Sequence, residues 1–211
     1  MRVAILGTGN MARGVAARAL AGGHHVTFVG THIAKAQDLA DELAGEGEVR
    51  ASEAPLGDLV VLAVPYTAAP HAVRQHAGEL AGAVLVDVTN PVDASIFEPL
   101  DVAPFHSGAA VIAAAAPEDA RVVKAFNTTF AGPLLAGAVA GHPLDVLIAG
   151  DDDGAKATVA RLVVDGGMRP IDVGSLARAR ELEALGFLHM AIQGPLGAGF
   201  ASAVKVLEPR A

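Results

Sequence analysis

The sequence has no cysteine and no tryptophan. Without thiols it can form no disulfide, no thiolate nucleophile and no cysteine-ligated metal site. That absence fits a cytoplasmic protein. Basic residues are also scarce, with 15 Lys and Arg against 23 Asp and Glu and a formal net charge of −8. No basic run offsets this balance, so neither nucleic acid nor an anionic membrane is expected as a partner. No apolar stretch reaches the ~18 residues needed to cross a bilayer. The chain opens directly on an apolar segment, MRVAIL, without a charged leader, so no signal peptide is expected.

What is present is a chain of 211 residues, 52% hydrophobic and dominated by Ala, Val and Leu. That length suits one full domain with a small appendage, or two small domains. Apolar runs near 2–6, 25–29, 58–64, 83–88, 121–126, 145–149 and 169–173 read as strands, with a short one near 48–50. Runs such as DLVVLAVP and AVLVDV are continuous rather than alternating, as in strands buried on both faces of a parallel sheet. Between them lie helical patterns. Thr31 caps one that ends at Gly45, and Thr67 and Pro70 open another that stops at Gly82. Residues 107–116, 129–140 and 153–165 read as further helices. The alternation predicts an α/β chain with a Rossmann-type, doubly wound, mostly parallel sheet over residues 1–174. Residues 175–211 read as a small C-terminal helical part that closes the cleft or a dimer interface. Its long helix, 175–193, places Leu182, Leu185, Leu188 or His189, and Ile192 along one stripe.

The segment VAILGTGNMARG carries the first functional signal. Gly7, Gly9 and Ala12 fill the G-x-G-x-x-A form of the dinucleotide fingerprint, directly after a strand and opening a helix. Gly7 permits the tight turn, Gly9 lets a pyrophosphate approach the backbone, and Ala12 allows close helix–strand packing. An NAD site ordinarily places an acid after the second strand. Here Gly30, Thr31 and His32 stand instead, with Lys35 one turn on. A hydroxyl, an imidazole and an ammonium at a helix N-terminus favour a 2′-phosphate, hence NADP. Each also has a plainer role, as cap, surface residue and solvated charge.

Three more strand ends converge on the same edge: Val64, Pro65 and Tyr66; Thr89, Asn90 and Pro91; and Phe126, Asn127 and Thr128. They are candidates to orient a nicotinamide, although Thr-Asn-Pro and Asn-Thr-Thr are also ordinary turn sequences. Asp87 and Lys124 lie inside strands expected to be buried, and a structural ion pair is predicted between them. The acids of GDDDGAKA (150–157) read as helix caps. His71 and His76 are five apart and share no helical face, so no zinc pair is read there. Tyr66 lacks a lysine four residues on, and no Ser/His/Asp elbow is present. A cleft poor in acids and bases suits hydride exchange between two heterocycles better than carbonyl reduction.

Taken together, GTGNMARG, VGTHIAK, VDVTNP, VVKAFNTTF, IAGDDDGAK, RPIDVGSLARARELE and the glycine-rich C-terminal stretch resemble the NADPH-dependent coenzyme F420 reductase family over nearly the whole chain. KAFN and DVG-L…E-E are also similar to the reductase domain of the STEAP metalloreductases. The resemblance implies hydride exchange between NADP(H) and the deazaflavin coenzyme F420, in a protein that is often a homodimer. It places Thr8, Asn10 and Met11 in the phosphate loop, and Thr31, His32 and Lys35 at the 2′-phosphate. It places Val64, Pro65, Asn90 and Asn127 by the nicotinamide, and Gly194, Gly197 and Gly199 near the deazaflavin. Thr31-His32 replaces the family's usual Ser-Arg. The expected function is therefore an NADP-dependent oxidoreductase with F420 as second cofactor, working by positioning and without a catalytic acid or base. The alternatives are another acceptor (a flavin, a ferric chelate or an imine) or a non-catalytic NADP-binding module.

Overall fold

The computed structural model describes residues 1–30, 33–54, 57–93, 95–102 and 106–208. In chain order the first half runs β1 (Arg2–Leu6), α1 (Asn10–Ala21), β2 (His25–Val29), α2 (Ile33–Leu43), β3 (Val49–Ser52), β4 (Leu59–Leu62), α3 (Ala69–Gln75), α4 (Ala77–Leu80) and β5 (Val84–Asp87). A small hairpin follows, β6 (Val92–Asp93) and β7 (Glu98–Pro99), then α5 (Gly108–Ala115), β8 (Arg121–Lys124) and α6 (Ala131–Ala136). The chain ends with β9 (Ala138–Val139), β10 (His142–Pro143), β11 (Asp145–Gly150), α7 (Asp153–Asp165), β12 (Arg169–Gly174), α8 (Ala179–Ala191) and α9 (Gln193–Leu196).

The main sheet has the order β12-β11-β8-β5-β4-β1-β2-β3. All pairings from β3 through β8 are parallel, and only β11 runs antiparallel to β8. β4 and β5 are buried at every residue, as continuous apolar runs demand in a sheet covered on both faces. One face packs against α1, α2, α6 and α7 through Val15, Leu39, Leu134 and Val159. The other packs against α3, α5 and α8 through Val73, Ile112 and Ala179.

The structure corrects three details. The helix expected over 129–140 stops at Ala136, because Gly137 takes a left-handed conformation (φ 73°) and its N–H bonds back to Pro133 and Leu134. The β9–β10 hairpin that follows turns the chain, which is why β11 enters the sheet reversed. The helix expected from Thr67 to Gly82 breaks at His76, and no side chain caps its start. The buried face of α8 is not the stripe through Leu188 and Ile192, which are 58% and 39% exposed. It runs through Ala179, Leu182, Glu183, Gly186 and His189. The Thr31 cap lies outside the described residues. Asp152 caps α7 as expected, accepting from the Ala155 N–H at 2.7 Å.

After α9 the tail runs back along the sheet to Asp145. That buried carboxylate accepts from Arg169, Lys205 and the Val206 N–H. Burial alone would push the carboxyl up, but these donors outweigh it and hold it at about 2, below its ordinary 3.8. A depressed carboxyl stabilises the fold above its unfolded value and loses that contribution as pH falls through its folded value. Asp145→Asn is therefore expected to cost about 2 kcal/mol at neutral pH. The gap from wild type should close as pH falls from 3.8 toward about 2. Urea melts of both proteins across that range check this, and a gap independent of pH would contradict it.

Candidate functional site

The carboxyl ends of β1, β2, β4 and β5 open on one long cleft. At its start Gly7 has φ 117°, and a Cβ there would fall 2.3 Å from the Ala63 carbonyl oxygen, so only glycine lets β1 leave the sheet beside β4. Gly9 opens α1 without a side-chain cap, the first turn of that helix carries no acid, and nothing stands within 4 Å of where its Cβ would be. The helix N-terminus therefore faces open space with its N–H groups and positive dipole end.

The cleft has three connected parts. The first, about 590 Å³, lies between the Gly7–Gly9 loop, Gly30, Lys35, Glu53, Pro65, Gln75 and His76. The second, about 600 Å³, shares Gly9, Val64 and Pro65 with the first. It continues past Asn10, Met11, Tyr66, Thr89 and Asn90 to Phe97, Leu100 and Met190. The third, about 530 Å³, shares Phe97 and Met190 with the second and is bounded by Gly194, Gly197, Gly199 and Phe200. Phe200 meets Phe130 edge-on at 5.1 Å, and Phe130 stacks on His189 at 4.2 Å.

Most residues expected in the site line this cleft: Thr8 and Lys35 at one end, Val64, Pro65, Tyr66 and Asn90 in the middle, and Gly194 and Gly197 at the other. Thr31 and His32 lie outside the described residues. Asn127 stands behind the wall. Its side-chain N–H donates to the Asn90 Oδ1 and to the Leu182 carbonyl, each at 2.9 Å, while the Asn90 amide donates to the Asn127 carbonyl at 2.8 Å. Asn127 thus holds Asn90 and α8 together. The β8 end that delivers it is strained, since Phe126 is fully buried with φ 63°, and its carbonyl accepts from both the N–H and the hydroxyl of Thr129.

Under this wall lies the expected ion pair, with a third member the sequence reading missed. Lys124 is fully buried. Its Nζ donates to Asp87 Oδ2 at 2.8 Å and to the Thr89 carbonyl at 2.6 Å, and pairs with Glu183 Oε1 at 2.9 Å. Asp87 also accepts from the Thr89 N–H at 2.8 Å. Glu183 also accepts from the N–H groups of Gly108 and Ala109 at 2.8 and 3.0 Å, closing the N-terminus of α5. Burial pushes the Tyr66 phenol above its ordinary value, the charges of Glu183 and Asp87 push it further, and Lys124 opposes them. Burial holds the His189 ring below its ordinary value, against the Thr128 carbonyl bond. Because a carbonyl only accepts, Nδ1 is the donor to Thr128, and Nε2 faces the Ser202 hydroxyl at 2.8 Å.

Glu53, Gln75 and His76 at the first cavity were also missed. Glu53 follows the short β3, and the other two sit where the helix breaks, so no periodic pattern marked them. Among the described residues no cluster of His, Asp and Glu is arranged to hold a metal, and no helix is long and apolar enough to cross a membrane.

Residues 2–91 match the family model described as NADP oxidoreductase, coenzyme F420-dependent. The chain is 32% identical over 205 residues to an F420-dependent NADP reductase of Methanothermobacter marburgensis, covering 88% of this chain and 89% of that one. The chain belongs to the coenzyme F420-dependent NADP oxidoreductase family. As a member of it, the protein is an oxidoreductase. It is also similar to the metalloreductase STEAP3 of Rattus norvegicus, 35% identical over 191 residues and 87% of this chain, but it spans only 36% of that protein's length. Among solved structures, an Arthrobacter sp. FB24 protein provisionally assigned as an F420-dependent NADP reductase superposes with a TM-score of 0.78. It is 33% identical, with 92% of this chain and 94% of that one covered. A pyrroline-5-carboxylate reductase of Coxiella burnetii, 16% identical with a TM-score of 0.63, shares the fold.

In this family member the approach of α8 to the site depends on Gly186. A Cβ there would fall 2.9 Å from both the Asn127 carbonyl and the Asn90 Oδ1. Gly186→Ala is expected to cost about 1–3 kcal/mol and to lower turnover by displacing Asn90. Thermal melts and steady-state kinetics check this, and unchanged stability would contradict the close approach.

Proposed function

We propose that this oxidoreductase binds NADP(H) along the first two parts of the cleft and coenzyme F420 from the C-terminal side. The single observation that carries the reading is the continuous track from the open glycine loop, past an amide-bearing wall, to an apolar chamber under α8 and α9. The residues present fit both groups. The uncapped α1 N-terminus and the space over Gly9 suit a pyrophosphate, and Lys35 suits a 2′-phosphate. The Thr89 hydroxyl oxygen is buried beside the wall with no partner among the described residues, and a carboxamide would satisfy it.

Bound NADPH would supply the hydride and F420 would accept it together with one proton from solvent. In this reading the chain contributes position. Pro65 and Tyr66 bound one side, Asn90 faces the carboxamide, and Asn127 keeps Asn90 in place. Phe97 and Met190 line both the second and the third cavity, where the two rings would meet. No side chain acts as acid or base. In this reading the C-terminal part, described from residue 175 to 208, closes the cleft, and Leu188, Ile192 and Leu196 give its outer side an exposed apolar face suited to a second copy, hence a homodimer; a cytoplasmic location belongs to the same proposal.

A second reading is favoured by the likeness to STEAP3: NADPH-dependent reduction of a flavin or ferric chelate by the same cleft. Stopped-flow absorbance with NADPH and purified F420 tests the acceptor. Bleaching of the deazaflavin is expected. Bound NADPH with no deazaflavin change, but turnover with a flavin or ferric chelate, favours the second reading. NADPH binding with no turnover by any acceptor points to a binding module. In the same assay Lys35→Ala should raise the KM for NADPH by about 10-fold and leave NADH unchanged. Equal effects on both would remove the 2′-phosphate contact.

A further inference from the structure

The buried cluster under the wall holds two carboxylates and one ammonium. Among the described residues, every group hydrogen-bonded to Asp87 and Glu183 is a donor: Lys124 Nζ and the N–H groups of Thr89, Gly108 and Ala109. Donors of this kind match carboxylate oxygens, which only accept, so two carboxylates against one ammonium leave the cluster with one negative charge in excess. The partial positive end of α5 offsets some of it. Asp87 and Lys124 are fully buried and Glu183 is 6% exposed, so water screens this charge weakly.

The surplus charge reaches the second cavity. Gly108 has no side chain, and a Cβ there would lie 2.7 Å from the Tyr66 ring and 3.3 Å from Glu183 Oε1. The Glu183 carboxylate and the cavity-lining Tyr66 ring therefore meet over one bare Cα. The upward push on the Tyr66 phenol from Glu183 and Asp87 has the sign expected of a net negative field. Thr89, bonded to both Asp87 and Lys124, itself lines the cavity. Asp93 adds charge of the same sign from the rim.

We infer that the Asp87–Lys124–Glu183 cluster biases the redox equilibrium of the bound nicotinamide, favouring the oxidised cationic ring over the reduced neutral one. This rests on the proposed function. When the C4–H bond breaks, the hydride leaves with its electron pair and the ring gains one positive charge. A fixed negative charge behind the cavity wall stabilises that product, so the bound reduced nucleotide donates hydride more readily than it does in water.

The test compares dissociation constants of NADP+ and NADPH by calorimetry in wild type, Glu183→Gln and Asp87→Asn, with adenosine 2′,5′-bisphosphate as a ligand lacking the ring. Each substitution removes one negative charge, and the second guards against failure of the first to fold. The ratio of the two constants should move by about 3- to 10-fold in favour of NADPH, with the bisphosphate unchanged. Tyr66 is the single tyrosine and there is no tryptophan, so phenol absorbance reads this residue alone. Its titration should fall toward the ordinary value in Glu183→Gln. An unchanged ratio, or parallel weakening of all three ligands, overturns the inference. Binding of neither nucleotide by wild type overturns the functional reading, and this inference with it.

Discussion

One ammonium ties the site together. Lys124 reaches three oxygens on three segments: Asp87 at the end of β5, the Thr89 carbonyl in the loop after it, and Glu183 on α8. Through Glu183 the connection extends to the first two N–H groups of α5. A fully buried lysine is tolerable only because all three of its protons are matched. The same matching fixes where the sheet, α5 and α8 stand relative to one another. The wall residues Thr89 and Asn90 are carried by that arrangement.

A second set of contacts works beside the first. Asn127 bridges Asn90 to the Leu182 carbonyl, Gly186 lets α8 come close enough for that bridge, and His189 links the Thr128 carbonyl to Ser202 in the returning tail. The left-handed Phe126 costs free energy where the chain turns, and burial of its ring together with two bonds to its carbonyl offsets this. The C-terminal helix is thus tied to the strand ends by polar contacts chosen for position, with apolar packing from Ala179 and Leu182 behind them.

The parts of this arrangement differ in how far the sequence reveals them. The strands are plain because continuous apolar runs have few other readings in an α/β chain. The Asp87–Lys124 pair is plain because each charge interrupts such a run. Glu183 is not, because RARELEAL carries two glutamates two positions apart, and Glu181 is an exposed partner of Arg180. Only the spacing 179, 182, 183, 186 and 189 separates the buried acid from the solvated one, and Leu185, Leu188 and Ile192 draw the eye to the wrong face. The early end of α6 is marked by Gly137 and Gly141, left-handed positions just before a hairpin and in its turn, and that hairpin is too short to show a period-two pattern. Asn127 lies at the expected strand end, but its role behind Asn90 depends on the Leu182 carbonyl, a backbone group no side-chain pattern advertises.

The chemistry proposed for the cleft follows from what this framework supplies: a hydrogen-bonded wall, an apolar chamber and a buried surplus charge. The coupling itself is most directly tested by amide hydrogen exchange in Lys124→Met. Amides in three segments report on it: the Thr89 N–H, the Gly108 and Ala109 N–H groups, and the amides of the α8 segment around Glu183. If one ammonium ties these segments, all should lose protection together, while amides of β1 and β2 keep theirs. Loss confined to a single segment, or uniform loss across the whole sheet, would contradict the account.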